Sequence, residues 1–285
     1  MDILLNDSII SREDLTIDLE DRGYQFGDGI YEVVRIYERQ LFEWEAHAKR
    51  LEYSAKELMI SLPVRIEELY QNLLKLIKKS SVSVGYVYIQ VTRGTAPRAH
   101  GFPENCKPNL IAYAREMARP LMKMKNGVRA VTADDIRWLR VDIKSLNLLG
   151  NVLAKQKAIE AKAEEAILIR NGIVTEGSSS NVFAIREGKC FTHPANHYIL
   201  NGITRQLVLR LLNEIGVAVE EIPITKEELF EMDEIFITST IHEICPVIEI
   251  DGVKIGNGAP GVLTGKLQSL FDKLIFPASS IHYSS

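Results

Sequence analysis

Cysteine is scarce in this chain: three residues among 285, Cys106, Cys190 and Cys245, far apart and without C-x-x-C spacing. That argues against a disulfide framework or a zinc site, so no metal is expected, and it fits reduced thiols in a cytoplasmic protein. Neither sign of charge dominates, with 34 basic against 38 acidic side chains. A net charge of −4 gives no reason to expect nucleic acid or an anionic membrane surface as a partner. Long apolar runs are missing too, and none approaches the roughly 18 residues of a membrane-spanning helix. The opening MDILLNDSII has an acid at position 2 and no basic segment, which predicts no secretory signal. Internal repeats and low-complexity tracts are lacking. What is present is an ordinary globular composition, 46% hydrophobic and 25% charged, on a chain long enough for two cores.

Helices and strands alternate without a regular βαβ rhythm. Apolar residues recur at helical spacing in EAHAKRLEYSAKELMI (45–60) and IEELYQNLLKLIKK (66–79). YEVVRIYERQLFEW (31–44) reads as two strands around a charged turn at Glu38–Gln40, and GYVYIQVTRG (85–94) and NLIAYA (109–114) read as strands. The basic, proline-broken REMARPLMKMKNG (115–127) is expected to connect a small N-terminal domain, 1–119, to a larger one, 120–285. Past it the pattern predicts a strand near Val128–Thr132, a long helix over 145–163 and a hairpin turning at Asn171-Gly172. A second hairpin in NVFAIREGKCFTHP precedes the helix TRQLVLRLLNEIG, which Gly216 stops. Strands in EIFITST and CPVIEIDGVKIG and a helix in LTGKLQSLFDKL follow, and the tail FPASSIHYSS is expected to be loose. The chain reads as α+β with mostly antiparallel sheets.

One familiar pattern misleads. GNGAPG (256–261) satisfies G-x-G-x-x-G and precedes a helix, but the chain ends before another strand and its acid could follow. A dinucleotide site needs both, so this stretch is expected to be a turn. More informative is Lys144 in DIRWLRVDIKSLNLL (134–148), an amine carried into a segment with no further charge until Lys155. A lysine in a dry setting loses part of its preference for the ammonium form, and its free amine can form a Schiff base. TEGSSSNVF (175–183) sets Glu176 ahead of a glycine and three serines. In NGITR (201–205), Thr204 can cap a helix starting near Arg205, and N–H groups at such an end bind phosphate. TST (238–240) ends a strand with three hydroxyls. Each stretch alone reads equally as a turn or cap; together they supply a Schiff-base amine, a carboxylate for a pyridine nitrogen and two anion sites. That is the inventory for pyridoxal 5′-phosphate.

EGSSSNVF, FTHP and ILNGITR together resemble the signature of the fold-type IV pyridoxal-phosphate enzymes. DRGYQFGDGIYE (21–32), RGTAPRAHGFPEN (93–105) and the Lys144 segment are similar to those of bacterial D-amino acid aminotransferases, and the likeness covers roughly residues 3–275. The resemblance implies two α/β domains, the C-terminal one partly barrel-like. It implies that Lys144 binds the cofactor and shuttles the proton while Glu176 pairs with the pyridine nitrogen. Arg50, the backbone of Ile203 and Thr204, and Ser239 and Thr240 would hold the phosphate. Leu200 would lie against the ring, with Ser179 and Ser180 nearby. Tyr31, Arg98 and His100 would hold the substrate carboxylate, the last two reaching in from the partner of a homodimer. The implied reaction passes an amino group between D-alanine and 2-oxoglutarate, or other D-amino and 2-oxo acids, and so supplies D-amino acids for the bacterial cell wall.

Without the resemblance, Arg50 reads as a helix-surface charge near Glu52 or Glu57, His47 as a packing residue, and Arg98 as a solvated loop arginine. Arg98 and His100, two apart, would share a face in an extended segment. Ile241 and His242 depart from the family pattern, where small hydroxyl residues are expected, and this puts the preferred amino acids in question. The rival readings are a branched-chain L-amino acid aminotransferase, an aminodeoxychorismate lyase of the same fold, and a protein that only sequesters the cofactor.

Overall fold

The computed structural model describes residues 1–276. The chain divides into two compact units, one of residues 1–119 with 143–148, the other of 120–142 with the residues from 149 onward.

The first unit is built on one antiparallel sheet. Its strands are β1 (Asp2–Leu5), β2 (Ser8–Ser11), β3 (Gly29–Tyr37), β4 (Gln40–Leu41), β5 (Gly85–Thr92) and β6 (Asn109–Glu116). They lie in the order β2-β1-β6-β5-β3-β4. A short helix α1 (Arg22–Phe26) precedes β3, and α2 (Trp44–Glu57) and α3 (Ile66–Ser80) separate β4 from β5. Glu38 and Arg39, both at positive φ, make the turn that the charged sequence predicted between β3 and β4. Strand alternation points Ile30, Val34 and Ile36 of β3, with Val87, Ile89 and Val91 of β5, into a core closed by Leu51 of α2 and Leu69, Leu73 and Leu76 of α3. The opposite face carries stacked tyrosines, Tyr31 on Tyr88 and Tyr88 on Tyr113. Glu32 occupies a core-face position in β3, between Ile30 and Val34, and is buried there.

The second unit begins with α4 (Leu121–Asn126) and β7 (Val128–Asp134), followed by α5 (Leu149–Glu160), β8 (Glu165–Arg170), β9 (Ile173–Gly177), β10 (Asn181–Arg186) and β11 (Lys189–Thr192). Then come α6 (Ile203–Glu214), β12 (Val219–Glu221), α7 (Lys226–Leu229), β13 (Glu234–Ser239), β14 (Glu243–Ile250), β15 (Val253–Lys254) and α8 (Val262–Ile275). The strand order is β12-β11-β10-β13-β14-β7-β8-β9, with β15 on β14. β7 pairs in parallel with β8 and β14, and β11 with β12, while the remaining pairs are antiparallel. Val174 of edge strand β9 shares one core with Val182 of β10, Ile235 and Ile237 of β13 and Val247 of β14. A flat sheet could not bring those side chains together; this one curls into a half-barrel. α5 covers its outside with Ala154 and Ala158 against Ala133, Ala166 and Leu168. The fold is α+β with mostly antiparallel sheets.

Three expectations are corrected. Residues 145–148 are not helical: Leu146 N–H bonds to Gly29 O at 2.9 Å and Ser145 bridges Ile30, so α5 starts at Leu149. These main-chain ties also return residues 143–148 to the first unit, whereas the 119/120 boundary left them in the second. Thr204 does not cap α6, because the helix starts at Ile203, two residues earlier than expected, with Gly202 as N-cap. A Cβ at 202 would overlap the Asn181 side-chain oxygen, which is why glycine stands there. GNGAPG does form a turn: the α8 N-terminus behind it is taken by the Glu234 carboxylate, which accepts from Leu263 N at 3.0 Å and Thr264 N at 2.9 Å. All of the expected tail but Phe276 lies outside the described residues.

Leu73 is fully buried at the centre of the first core. Leu73→Ala is expected to cost about 3 kcal/mol of stability, measured by denaturant unfolding of the full chain.

Candidate functional site

The sequence-predicted site residues fall into two sets, one in each unit. In the first, Lys144 lies in the extended segment tied to β3, with Tyr31 N–H donating to its carbonyl at 2.9 Å and its own N–H donating to Ser54 Oγ at 3.2 Å. Anchored at both ends, the half-buried side chain carries Nζ to 4.3 Å from the centroid of the Tyr31 ring. Tyr31 and Lys144, 113 positions apart in the chain, thus meet through register alone.

Beneath β3, Arg50 is no surface charge. Its Nε donates to Glu32 Oε1 at 2.7 Å and its Nη2 to Oε2 at 2.9 Å. His47 Nδ1 lies 2.8 Å from the same Oε2. Burial opposes the charge on Glu32, but Arg50 and His47 outweigh it and hold this carboxyl well below the usual carboxylate range. An ionised carboxylate only accepts, so His47 Nδ1 carries a hydrogen. Burial first, and the cations nearby, push His47 down despite Glu32, which favours the neutral ring. Glu32 escaped the sequence reading, although a carboxylate in a row of alternating core residues was its signal.

Arg98 and His100 lie on an exposed bend rather than a strand. Both still pack on one ring: the Arg98 guanidinium is 4.9 Å from the Phe26 centroid, and the His100 ring 5.6 Å from it. Arg22 braces this loop by donating to Ala99 O at 2.6 Å and to Asp28 at 2.8 Å. Arg93 reaches the same Asp28 and lies 3.7 Å from the Phe102 ring.

In the second unit, Glu176 is buried at the end of β9. Arg137 donates to its Oε1; Asn181 Nδ2, at 2.8 Å, and Leu200 N, at 3.1 Å, donate to its Oε2. Asn181 also donates to Leu200 O at 2.8 Å, so one amide fixes both carboxylate and loop. Burial pushes the Glu176 carboxyl up to about 7, with Arg137 and the Leu200 N–H pulling the other way. Arg137 itself is held by Asp135, through Nε at 2.8 Å and Nη2 at 2.9 Å. Arg170 and Thr175 complete the grip on Asp135. The sequence reading missed Arg137, Asp135 and Asn181. The charge-dense DIRWLR was a hint, but its partners are fixed only by folding.

The serine-rich stretch is knitted to another buried acid. Ser178 N at 3.1 Å and the hydroxyls of Ser178, Ser179 (3.3 Å) and Ser180 (2.7 Å) all bond the Glu165 carboxylate. Ser179 is exposed, while Ser178 and Ser180 are buried. At the N-terminus of α6 no side chain caps the helix, so the N–H groups of Ile203 and Thr204 have no intrahelical partner. Ser239 ends β13 and Thr240 follows it in the turn, both half-buried. His242, the departure from the family pattern, is buried with Nδ1 at 3.1 Å from Ser239 Oγ and Nε2 at 3.0 Å from Glu164 Oε1.

The Glu176 environment has a measurable consequence. A carboxyl raised to about 7 from 4.5 contributes stability that is complete below pH 4.5 and lost as pH rises through 7. In the ligand-free chain, Glu176→Gln is expected to remove roughly 3 kcal/mol of the stability change across that window. Thermal unfolding of both chains at several pH values reads the difference.

Among the described residues no helix is long and apolar enough to cross a membrane, and no group of acidic, histidine or cysteine side chains is arranged to hold a metal ion. The amino-transferase class IV family model matches residues 29–250. D-alanine aminotransferase of Bacillus licheniformis is 50% identical over 275 residues, covering 96% of this chain and 97% of that protein. D-alanine aminotransferase of Listeria monocytogenes serotype 1/2a is 47% identical over 274 residues, with 95% of each chain covered. Among solved structures, the branched-chain amino acid aminotransferase of Escherichia coli superposes with a TM-score of 0.92 at 26% identity, covering 96% of this chain and 94% of its own. That of Thermobaculum terrenum, solved in its PLP form, gives 0.87 at 27% identity, covering 96% and 93%. This chain, with its half-barrel unit and its antiparallel unit, is a member of the class IV aminotransferase family.

Proposed function

We propose that the chain transfers an amino group between a D-amino acid and a 2-oxo acid with pyridoxal 5′-phosphate as cofactor. D-alanine and 2-oxoglutarate, giving pyruvate and D-glutamate, are the expected pair. The observation that carries this reading is the Glu176 carboxylate. Three of its roughly four acceptor positions are filled by Arg137, Asn181 and Leu200, which leaves one on Oε1 for an N–H donor. A protonated pyridine nitrogen is such a donor. The uncapped α6 terminus and the hydroxyls of Ser239 and Thr240 are a donor set suited to a phosphate. End-to-end identity of 50% with a D-alanine aminotransferase, against 26% with a branched-chain enzyme, favours D-amino acids.

When bound, pyridoxal phosphate acts as an electron sink that weakens the bond between the substrate's α-carbon and its hydrogen. Lys144 Nζ would hold the cofactor covalently and, once released, take the α-proton as general base and give it back. Glu176 would accept from the ring N–H, its charge buffered by Arg137 and Asp135. Arg50, kept in place by Glu32, would meet the phosphate together with the N–H groups of Ile203 and Thr204, Ser239 and Thr240. Leu200 would lie along the ring, with Ser179 and Ser180 beside it. Tyr31 and the Arg98–His100 pair would orient the substrate's α-carboxylate, Arg98 through its planar fork. Arg98 and His100 sit on an exposed loop, which suits residues delivered to a partner subunit of a homodimer. Three free cysteines agree with a cytoplasmic enzyme, from where D-amino acids would serve the bacterial cell wall.

A side-by-side assay of D-alanine and L-leucine with 2-oxoglutarate is expected to show turnover with D-alanine; turnover of L-leucine alone would make the chain a branched-chain aminotransferase. Pyruvate release from aminodeoxychorismate without an amino acceptor would instead mark a lyase, and cofactor binding without turnover a carrier. Borohydride reduction should tag Lys144, and Lys144→Ala should lose the tag and at least about 100-fold in rate. The dimer has its own readout. Inactive Lys144→Ala and Arg98→Met chains, refolded as a mixture, should regain activity if Arg98 acts across subunits, and none if it acts within its own.

A further inference from the structure

His242 stands where the sequence suggested an altered substrate pocket, yet its ring is committed elsewhere. Nε2 faces Glu164 Oε1 at 3.0 Å, and Glu164 also pairs with Lys123 at 2.8 Å. The His242 hydrogen bond and Lys123 outweigh burial and hold the Glu164 carboxyl down at about 2. An ionised carboxylate cannot donate, so Nε2 must carry a hydrogen. The state of Nδ1 then decides what Ser239 can do. Ser239 Oγ already accepts His242 N–H at 2.9 Å, and Nδ1 lies 3.1 Å away. A neutral imidazole with its hydrogen on Nε2 has a bare Nδ1, which takes the single Ser239 hydroxyl hydrogen. A protonated imidazole donates from Nδ1 instead, and the hydroxyl hydrogen turns free.

We propose that His242 is a proton-linked positioning residue, which releases the Ser239 hydroxyl as a donor to a bound phosphate dianion only when its imidazole is doubly protonated. This rests on the reading of Ser239 as a phosphate contact and goes beyond it. Anion binding at Ser239 is then coupled to uptake of one proton from solvent onto Nδ1. The balance is one proton in and one O–H redirected, with no covalent bond formed or broken. The charged group at the imidazole is Glu164 ahead of β8, which in turn meets Lys123 of α4 at its carboxylate and Lys155 of α5 at its carbonyl, and whose field, with that of Lys123, reaches Cys245 of β14. Cys245 is pushed up to about 12 by burial and stays a thiol over the relevant range. Glu164 is therefore the charge in direct contact with the His242 ring, and Lys123 pairs with it. A small hydroxyl residue at 242 could orient Ser239 without this coupling to pH.

The test uses sulfate as the probe, because it stays a dianion where both phosphate and imidazole titrate. Sulfate binding to the full-length, cofactor-free chain is measured by calorimetry from pH 5.5 to 8.5. The wild type is expected to lose about tenfold in affinity as pH rises through the imidazole range, the effect of one charge-assisted hydrogen bond. His242→Gln, which does not titrate, should flatten that loss. Glu164→Gln should keep the loss but move its midpoint to lower pH, a change that a purely structural role would not produce. Equal slopes in wild type and His242→Gln overturn the proposal. Ser239→Ala separates the two layers. If it weakens sulfate about tenfold at pH 6 while the slopes of wild type and His242→Gln agree, the phosphate contact stands and the proton link fails. If Ser239→Ala leaves sulfate affinity unchanged at every pH, the phosphate contact itself is wrong and the proposal falls with it.

Discussion

A carboxylate taken out of water must be met by donors, and each unit of this protein is organised around one that is. Glu32 replaces a hydrophobic residue in the core face of β3 and is tolerated because Arg50 grips both of its oxygens and His47 one of them. Glu176 sits at the end of β9 and is tolerated because Arg137, Asn181 and the Leu200 N–H converge on it. An unpaired ion in either place would cost several kcal/mol. Each acid therefore dictates the positions of the residues around it. Arg50 points inward because of Glu32, and the loop through Leu200 is drawn to β10 because of Glu176 and Asn181. Arg50 and Leu200, two of the residues proposed to meet the cofactor, are held in place by these buried ions.

The two carboxylates are shifted in opposite directions. Glu32 has a bidentate arginine and an adjacent imidazole donor, which overcome burial and keep it firmly ionised. Glu176 is as deeply buried, but its arginine is shared with Asp135, so burial wins and its affinity for a proton rises. A structural anchor profits from a fixed charge. A group proposed to face a pyridine nitrogen profits from one that is closely balanced against a proton.

Much of the architecture was legible because it is written in local periodicity. Helical spacing in 45–60 and 66–79 matches α2 and α3, and Asn171-Gly172 turns the β8–β9 hairpin with both residues at positive φ, as a two-residue turn of this twist requires. The errors occurred where tertiary hydrogen bonds overrode local preference. Ser145–Leu148 has a good helical sequence, but β3 offers main-chain partners and takes it. Thr204 is a favoured capping residue, yet α6 starts before it, with Gly202 as N-cap packed closely against Asn181. Arg50 reads as surface because nothing within its own helix shows that Glu32, 18 positions earlier, lies buried beside it.

By itself the sequence determined the class of elements, their order, the family and the candidate lysine, arginines and acids, since these depend on residue identity and spacing along the chain. Only the tertiary structure decided which acid each cation satisfies, that Lys144 rests against Tyr31, and that the ring of His242 serves Ser239 and Glu164. Apart from local contacts such as that of His242 with Ser239, these pairings join residues well separated in sequence. They are chosen by the cost of leaving a buried charge or hydrogen-bonding group unmatched, and that cost exists only once the chain has closed around it.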